Sequence, residues 1–415
     1  MADEIITGLD IGSSHIRIVV GQAMPSEEGK DTLHIIGAVE VPSKGIHKGA
    51  ISSMEDAVSS ISKALEHAER MTGVPVNRAW ISIAGQHILV QESRGVVGVS
   101  RQDAEISESD VDRAIEAARA VATPSNYEIL HVIPKSFTVD GQLGIKDPVG
   151  MSGIRLEVDA VIIQTLSSHI NNVTKSVHRT GLEIDDLVFS PLATAEAVLT
   201  QRQKELGVCV VDIGATSTTM IVYEEGDLLH TAVLPIGGDH ITNDIAIGLR
   251  TSLEVAENVK HRIGNAVPSQ VARKDQFVLT DFGSSEEESF KAVFVSEVVE
   301  ARVEEMFEAI DDELRKIDRS GMLPVGVVLT GGAMKMPGMV DVAKRILRLP
   351  SSIGSPIGIS SVIDEVKEPS FATAVGLASW GFAIRSVSRR RFKLSFKGAD
   401  KIAGHAKKWL KSLIP

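Results

Sequence analysis

The chain has 415 residues, 43% of them hydrophobic and 24% charged, with a net charge of −12 and a single cysteine. That length suggests two or more packed units, and the composition is that of a globular protein with no apolar run near the roughly 20 residues that span a bilayer. The acidic balance argues against a general nucleic-acid binder, the lone thiol excludes a disulfide framework, and the opening MADEIITGLD lacks a signal-peptide pattern, so a reducing cytoplasm is the expected setting.

The first predicted element is the strand that runs into GLDIGSSHIR at 8–17, where a small-residue turn leads to a second strand. LHIIGAVEVPSKG supplies a third strand and Ile51–Arg70 a helix. After the strand AWISIAG, residues 86–159 carry their own pattern: strand-like HILVQES, a helix over Ser107–Val121, then strand-like EILHVIPKSF and GIRLEV. In that helix Val111, Ile115, Ala118 and Val121 share one face. The stretch reads as a small α+β subdomain inserted into the first unit, which AVIIQTL is expected to resume. A helix over Pro191–Leu199 follows, and GVCVVDIGATSTTM then repeats the opening pattern. Cys209 sits inside that strand as a buried small hydrophobe.

Aligning Asp10 with Asp212 places Gly12 on Gly214, Ser13 on Ala215 and Ser14 on Thr216. A third strand, DLLHTAVLPIGG, and a helix over His240–Ile247 continue the match, so a whole β-β-β-α module is duplicated, at too long a period for a solenoid. One Asp-Ile-Gly alone reads as a tight turn. Two with the same flanks read as paired nests of backbone N–H groups that clamp a polyphosphate from both sides. Asp10 and Asp212 are then placed to hold Mg²⁺ through water. The chain contains neither the Walker-type nor the dinucleotide-binding glycine motif. In VGVVLTGGAMKMPGM at 325–339 a strand ends in Gly331-Gly332, which lets a ring or ribose approach the backbone, and a helix over Met339–Leu347 follows.

The end of the chain reverses the charge. Residues 385–415 hold ten Lys or Arg and one acid, a net +9, which leaves −21 on the other 384 residues. Wound as a helix, KIAGHAKKWLKSLIP puts Ile402, Ala406, Trp409, Leu410, Leu413 and Ile414 on one arc. Lys407, Lys408 and Lys411 fall on the other side. Behind a basic linker at 385–397, this is the pattern of an in-plane anchor on anionic lipid. A stripe buried in a soluble core is the alternative.

The two hairpins and the later glycine pair, in this order, resemble the motifs of the actin-like ATPase superfamily. The insert, the tail and the residue before Pro191 make the chain most similar to the FtsA family of bacterial division proteins. The resemblance implies an α/β actin-like ATPase fold, with two duplicated sheet-and-helix halves around a nucleotide cleft and an inserted α+β subdomain. It divides the chain into a first half (1–85 and 160–200), the insert (86–159), a second half (201–236 and 319–384), a further subdomain (237–318), the linker (385–397) and the membrane helix (398–415). It also implies ATP with Mg²⁺ as ligand. Asp10, Gly12, Ser13 and Ser14 hold one side of the phosphates, and Asp212, Gly214, Ala215, Thr216 and Ser217 hold the other. Gly237, Gly238, Glu257, Lys260, Gly331, Gly332 and Met336 surround the nucleoside. In AENVKHRIG, however, Glu257 and Lys260 read equally well as an exposed helix face.

Ser190 stands where many relatives carry a water-orienting acid or amide, and Glu196 is a turn or more further on, so weak or absent hydrolysis is implied. The implied partners are the FtsZ C-terminal peptide on residues 237–318, further copies of the chain in filaments, later division proteins and anionic membrane lipid. The implied place is the cytoplasmic face of the inner membrane at the division site. Arg302 is the candidate peptide contact, with pairing to Glu305 or Glu300 as the alternative. A pilus-assembly relative of the PilM type and a sugar-kinase-type phosphotransferase are the competing readings.

Overall fold

The computed structural model describes residues 5–24, 32–99, 104–120 and 123–395. Strands β1 (Ile5–Ile11), β2 (His15–Met24) and β3 (Thr32–Pro42) form an antiparallel meander. A minimal hairpin, β4 (Ile46–His47) and β5 (Ala50–Ile51), leads into helix α1 (Met54–Thr72), and β6 (Arg78–Ile83) returns parallel to β1. The bounds of α1 have local causes. Ser53 caps its start by accepting from the Asp56 N–H, and Gly73 ends it in the left-handed conformation at φ 70°. Ala57, Ile61, Ala64, Leu65 and Ala68 form its buried stripe.

The insert comprises β7 (Leu89–Gly98), α2 (Glu108–Arg119), β8 (Tyr127–Val139), β9 (Gln142–Ile145) and β10 (Arg155–Leu166). Its antiparallel sheet has the order β7-β10-β8-β9, with α2 packed on β7 and β10. Strand β10 runs unbroken, so residues 160–166, expected to resume the first half, belong to the insert's sheet. The reason is alternation: Leu156, Val158, Ala160 and Ile162 join the insert's core, while Val161 and Ile163 join that of the first half. One strand therefore serves two cores. Lys146, just past β9, pairs with Asp227 of the second half.

The first half closes with α3 (Ser167–His178), β11 (Glu183–Phe189) and α4 (Ser190–Val198). The second half opens with α5 (Gln201–Leu206), β12 (Val208–Ile213), β13 (Thr218–Glu224) and β14 (Asp227–Leu234). Helices α6 (Gly238–Leu249) and α7 (Leu253–Ile263), the small hairpin β15 (Gln276–Val278) and β16 (Ser289–Lys291), and the long helix α8 (Ala292–Lys316) come next. Then β17 (Gly326–Thr330), α9 (Met339–Leu347), β18 (Ser351–Ile353), β19 (Ser360–Ser361) and α10 (Ala372–Ser395) complete the described chain.

The duplication is visible in the topology. The second sheet, β14-β13-β12-β17-β18, repeats β3-β2-β1-β6-β11 of the first, with the same antiparallel and parallel pairings. Strand β12 is buried on both faces, as a continuous apolar run requires: Cys209, Val211 and Ile213 enter one core, Val208 and Val210 the other. Burial pushes the Cys209 thiol well up, which fits an inert packing residue.

Two differences concern α10. Residues 372–384, assigned in sequence to the second half, pack in the core of the first, because Gly8 in β1 leaves room for them. A Cβ on Gly8 would lie 2.3 Å from the Ala374 carbonyl oxygen. The helix also continues through residues 385–395, expected as a linker; the sequence has no glycine or proline between 385 and 397. Helices α4 and α10 cross between the halves at Ala193 and Gly376, where a Cβ on Gly376 would lie 1.8 Å from the Ala193 carbonyl oxygen. Ile402, Ala406, Lys407, Lys408, Trp409, Leu410, Lys411, Leu413 and Ile414 lie outside the described residues. Among the described residues, no helix is long and apolar enough to cross a membrane.

Candidate functional site

The β1–β2 and β12–β13 turns face each other across a cleft of about 590 Å³ between the halves. Both turns close in the same way: the Gly12 N–H donates to the His15 carbonyl at 3.1 Å, and the Gly214 N–H to the Ser217 carbonyl at 3.0 Å. They also touch, since Thr216 Oγ1 donates to Ser13 Oγ at 3.1 Å, and Ser13 Oγ accepts a further bond from the Gly49 N–H at 3.0 Å.

Asp10 and Asp212 stand at the ends of β1 and β12 on the cleft floor. Asp10 Oδ1 accepts from Ser82 Oγ at 2.7 Å, and Ser82 Oγ in turn accepts from the Ile11 N–H at 3.1 Å. Asp212 Oδ2 accepts from Thr373 Oγ1 at 3.2 Å. Burial lifts the Asp10 carboxyl above its ordinary range, against the pull of Arg17 and the Ser82 hydroxyl. Asp212 is pushed up to about 6, by burial first and by the charge of Asp10 second, while Thr373, Arg17 and Thr194 pull it down. Two neighbouring carboxylates held against their own ionisation favour a cation between them. The donors are hard oxygens, and no group of three or more acidic, histidine or cysteine side chains gathers among the described residues. Such a site suits Mg²⁺, which takes one or two carboxylates and completes its shell with phosphate oxygens and water.

The far wall belongs to the second half. Gly331 has φ 94°, and a Cβ there would lie 2.3 Å from Asp212 Oδ1, so only glycine brings the end of β17 against that carboxylate. Gly332 and Met336 continue this wall. Also lining the cleft, Lys260 Nζ reaches Glu257 Oε2 at 2.6 Å and Thr242 Oγ1 at 2.7 Å, and His261 Nε2 lies 2.8 Å from Glu257 Oε1. Thr242 also donates to Glu257. Burial raises Glu257, but Lys260, Thr242 and His261 outweigh it and hold the carboxyl below its ordinary range. This pair is therefore a half-buried cluster on the cleft wall rather than a solvated helix face.

The expected cofactor residues Asp10, Gly12, Ser13, Ser14, Asp212, Gly214, Ala215, Thr216, Ser217, Gly238, Glu257, Lys260, Gly331, Gly332 and Met336 all line the cleft. Gly237 does not; it is buried behind the second turn, 2.6 Å from the Gly214 and Ala215 carbonyl oxygens at its notional Cβ. It serves by letting α6 start against that turn, where the Gly238 and Asp239 N–H groups donate to Gly214 and Ala215 at 2.9 and 2.8 Å. Ser190 lines the cleft as expected, whereas Glu196 turns away to Lys204 Nζ at 3.0 Å. Arg302 lies on α8 away from the cleft. It pairs with Asp244 of α6 through Nε at 2.5 Å and Nη2 at 3.0 Å, and with Glu305 at 2.6 Å.

Residues missed in sequence are Ser82, Thr194, Thr373 and the Arg17–Glu40 pair, which meets at 2.6 Å. Ser82 had a signal, a lone hydroxyl in an apolar strand. So did the threonines, because Ala193-Thr194-Ala195 and Ala372-Thr373-Ala374 repeat one tripeptide in the two connecting helices.

Comparison with known proteins agrees with this geometry. Residues 209–376 match the family model for Cell division protein FtsA, and residues 85–164 match that for the SHS2 domain inserted in FtsA. Cell division protein FtsA of Bacillus subtilis (strain 168) is 40% identical over 395 residues, covering 95% of this chain and 87% of that protein. The Pseudomonas aeruginosa protein of the same name is 37% identical, covering 92% and 90%. The Escherichia coli (strain K12) protein is 34% identical, covering 91% and 90%. Among solved structures, a chain of the PilM-PilN type IV pilus biogenesis complex matches with a TM-score of 0.65 at 16% identity, over 91% of this chain and 98% of that one. MreB5 of Spiroplasma citri bound to ADP matches with a TM-score of 0.51 at 13% identity, over 95% and 99%. These structures establish an actin-like fold, and the sequence identity sustained over nearly the whole of the curated relatives establishes the rest: the chain belongs to the FtsA family of cell division proteins.

Proposed function

We propose that this chain binds ATP with Mg²⁺ between its halves and polymerises at the cytoplasmic face of the inner membrane. There it ties FtsZ filaments to the division site through its C-terminal amphipathic helix and recruits later division proteins. The observation that carries the nucleotide reading is the pair of matched turns closing over two buried carboxylates. Asp10 and Asp212 hold Mg²⁺, which neutralises the phosphate oxygens, and the two turns cradle the phosphates. Gly331, Gly332 and Met336 on one wall and Glu257 and Lys260 on the other enclose the nucleoside. Ser190 is a poor base and Glu196 is engaged elsewhere, so the nucleotide acts chiefly as a conformational switch with slow turnover.

Support for the FtsZ contact lies on the α6–α8 face that carries Arg302. There Ile247 is 76% and Phe294 37% exposed, an apolar surface that suits a short peptide, beside Arg302, which Asp244 and Glu305 hold in place. Support for the membrane contact is the residue pattern of 398–415.

The test is a calorimetric titration with Mg-ATP, with phosphate release followed in the same samples. The wild type should bind, Asp212→Ala should bind at least about 10-fold more weakly, and release should stay near background. Equal affinities would reject the two-turn clamp. Release at roughly 1–1,000 per second would reject the switch reading.

A further inference from the structure

We propose that Thr373 is a positioning residue that aims the Asp212 carboxylate at the divalent cation, and that Thr194 holds Thr373 in place. The inference rests on the nucleotide reading above and adds to it a regulation of the metal site from the connecting helices.

Thr373 is 5% and Thr194 0% exposed, so both hydroxyls depend chiefly on protein partners. Thr194 Oγ1 lies 3.0 Å from the Ser190 carbonyl, the bond to the fourth residue back that a buried helical threonine commonly makes. Thr373 is the second residue of α10 and has no carbonyl of its own helix within that reach. Its hydroxyl leaves the helix instead, 3.2 Å from Asp212 Oδ2 and 2.9 Å from Thr194 Oγ1. Each hydroxyl carries a single proton. An ionised Asp212 only accepts, so the Thr373 proton goes to Asp212, and the single Thr194 proton is shared between the Ser190 carbonyl at 3.0 Å and the Thr373 oxygen at 2.9 Å.

This donor fixes Oδ2 and with it the orientation of the carboxylate. A valine fits the same volume and removes the donor. Nothing in the helix calls for threonine at 373, which is a weaker helix former than alanine. The chain of hydroxyls also runs from the cleft to the Ala193–Gly376 crossing, three residues beyond Thr373 in α10 and next to Thr194 in α4. A change in the crossing therefore moves the donor that orients the metal-binding carboxylate.

The experiment follows a fluorescent ATP analogue bound to the full chain while Mg²⁺ is titrated, and repeats the nucleotide titration in EDTA. Thr373→Val should raise the Mg²⁺ midpoint about 10-fold, the lower end of the range for removing a group that orients a metal ligand. Its affinity in EDTA should be unchanged, and Thr373→Ser should restore the midpoint. A packing role would instead weaken binding equally with and without Mg²⁺. An unchanged midpoint in Thr373→Val, an equal loss in EDTA, or no rescue by serine overturns the proposal. Should Thr373→Val fail to fold, Thr194→Val reads the same chain from its other end: a raised midpoint supports the proposal and a wild-type midpoint overturns it. If the wild type binds no nucleotide, or binds it without regard to Mg²⁺, the nucleotide reading fails and the positioning role falls with it. If only the threonine variants behave as wild type, the positioning role alone is wrong.

Discussion

Replacing Gly376 by alanine tests the crossing of α4 and α10 by the sign of its effect. Inside a helix, glycine to alanine ordinarily stabilises by about 1 kcal/mol. Here the new Cβ would sit 1.8 Å from the Ala193 carbonyl oxygen and 2.4 Å from its carbonyl carbon. The shortest ordinary carbon-to-oxygen contacts are about 3.3 Å, so the helices must part by roughly 1.5 Å. Both are buried along this face, and the strain of overpacking such a site is typically 1–3 kcal/mol. A shift of that size belongs at the upper end, which leaves a net destabilisation of about 2 kcal/mol after the helix-propensity gain. Gly248 in α6 is the control, because its notional Cβ lies 3.5 Å from the Phe294 ring, an ordinary contact. Gly248→Ala should therefore stabilise by up to about 1 kcal/mol. The assay is urea unfolding without nucleotide, followed by the fluorescence of Trp80 and Trp380, both buried in the core that α10 enters. A midpoint that rises in Gly376→Ala as it does in Gly248→Ala would refute the backbone contact.

Asp212 keeps its proton to about pH 6 when folded but releases it near pH 4 when unfolded. The folded state is the more protonated between those values, so wild-type stability relative to Asp212→Asn should fall as pH rises from about 4 to about 6. A difference that is flat with pH in urea titrations would show that burial does not govern this carboxyl. Trp409→Glu should release the protein from anionic liposomes in sedimentation and leave Mg-ATP binding intact; full sedimentation of the variant would sink the membrane reading. Arg302→Ala should weaken capture of an FtsZ C-terminal peptide about 10-fold, measured by fluorescence anisotropy, since hydrogen bonds to charged groups contribute roughly 1.5–3 kcal/mol. Undiminished peptide affinity would place the groove elsewhere.

The duplication was legible because its signals are local. A glycine at a strand bend, alternating apolar residues and a small-residue turn need no knowledge of the rest of the chain, and nearly every residue expected in the cleft does line it. What escaped was set by contacts between distant segments. Ser82 reaches Asp10 across 72 positions, and Thr373 reaches Asp212 across 161. Arg302 was the candidate peptide contact, with pairing inside its own helix as the alternative; it does pair with Glu305, but its bidentate partner is Asp244, 58 positions away. The boundary at residue 160 failed for a related reason: alternation identifies a strand without saying which sheet owns it, and β10 faces two cores. The continuation of α10 past residue 385 was obscured by charge, since a run of arginines reads as a solvated linker although each arginine is a good helix former.

The matched sheets have a consequence for ligand polarity. Corresponding turns meet across the cleft, so each half offers a ligand the same backbone groups from opposite sides. A nucleotide has no such symmetry; one end is a phosphate chain and the other a base. The turns alone would accept it in either direction. Direction has to come from what the halves do not share. Gly331-Gly332, Met336, Glu257 and Lys260 all belong to the second half. The corresponding strand of the first half, β6, supplies Ser82 to the cleft, with Ala84 just past its end, and leads into the inserted subdomain. On the proposed nucleotide reading the second copy would read the nucleoside, while the first carries the 80 residues that match the inserted SHS2 domain.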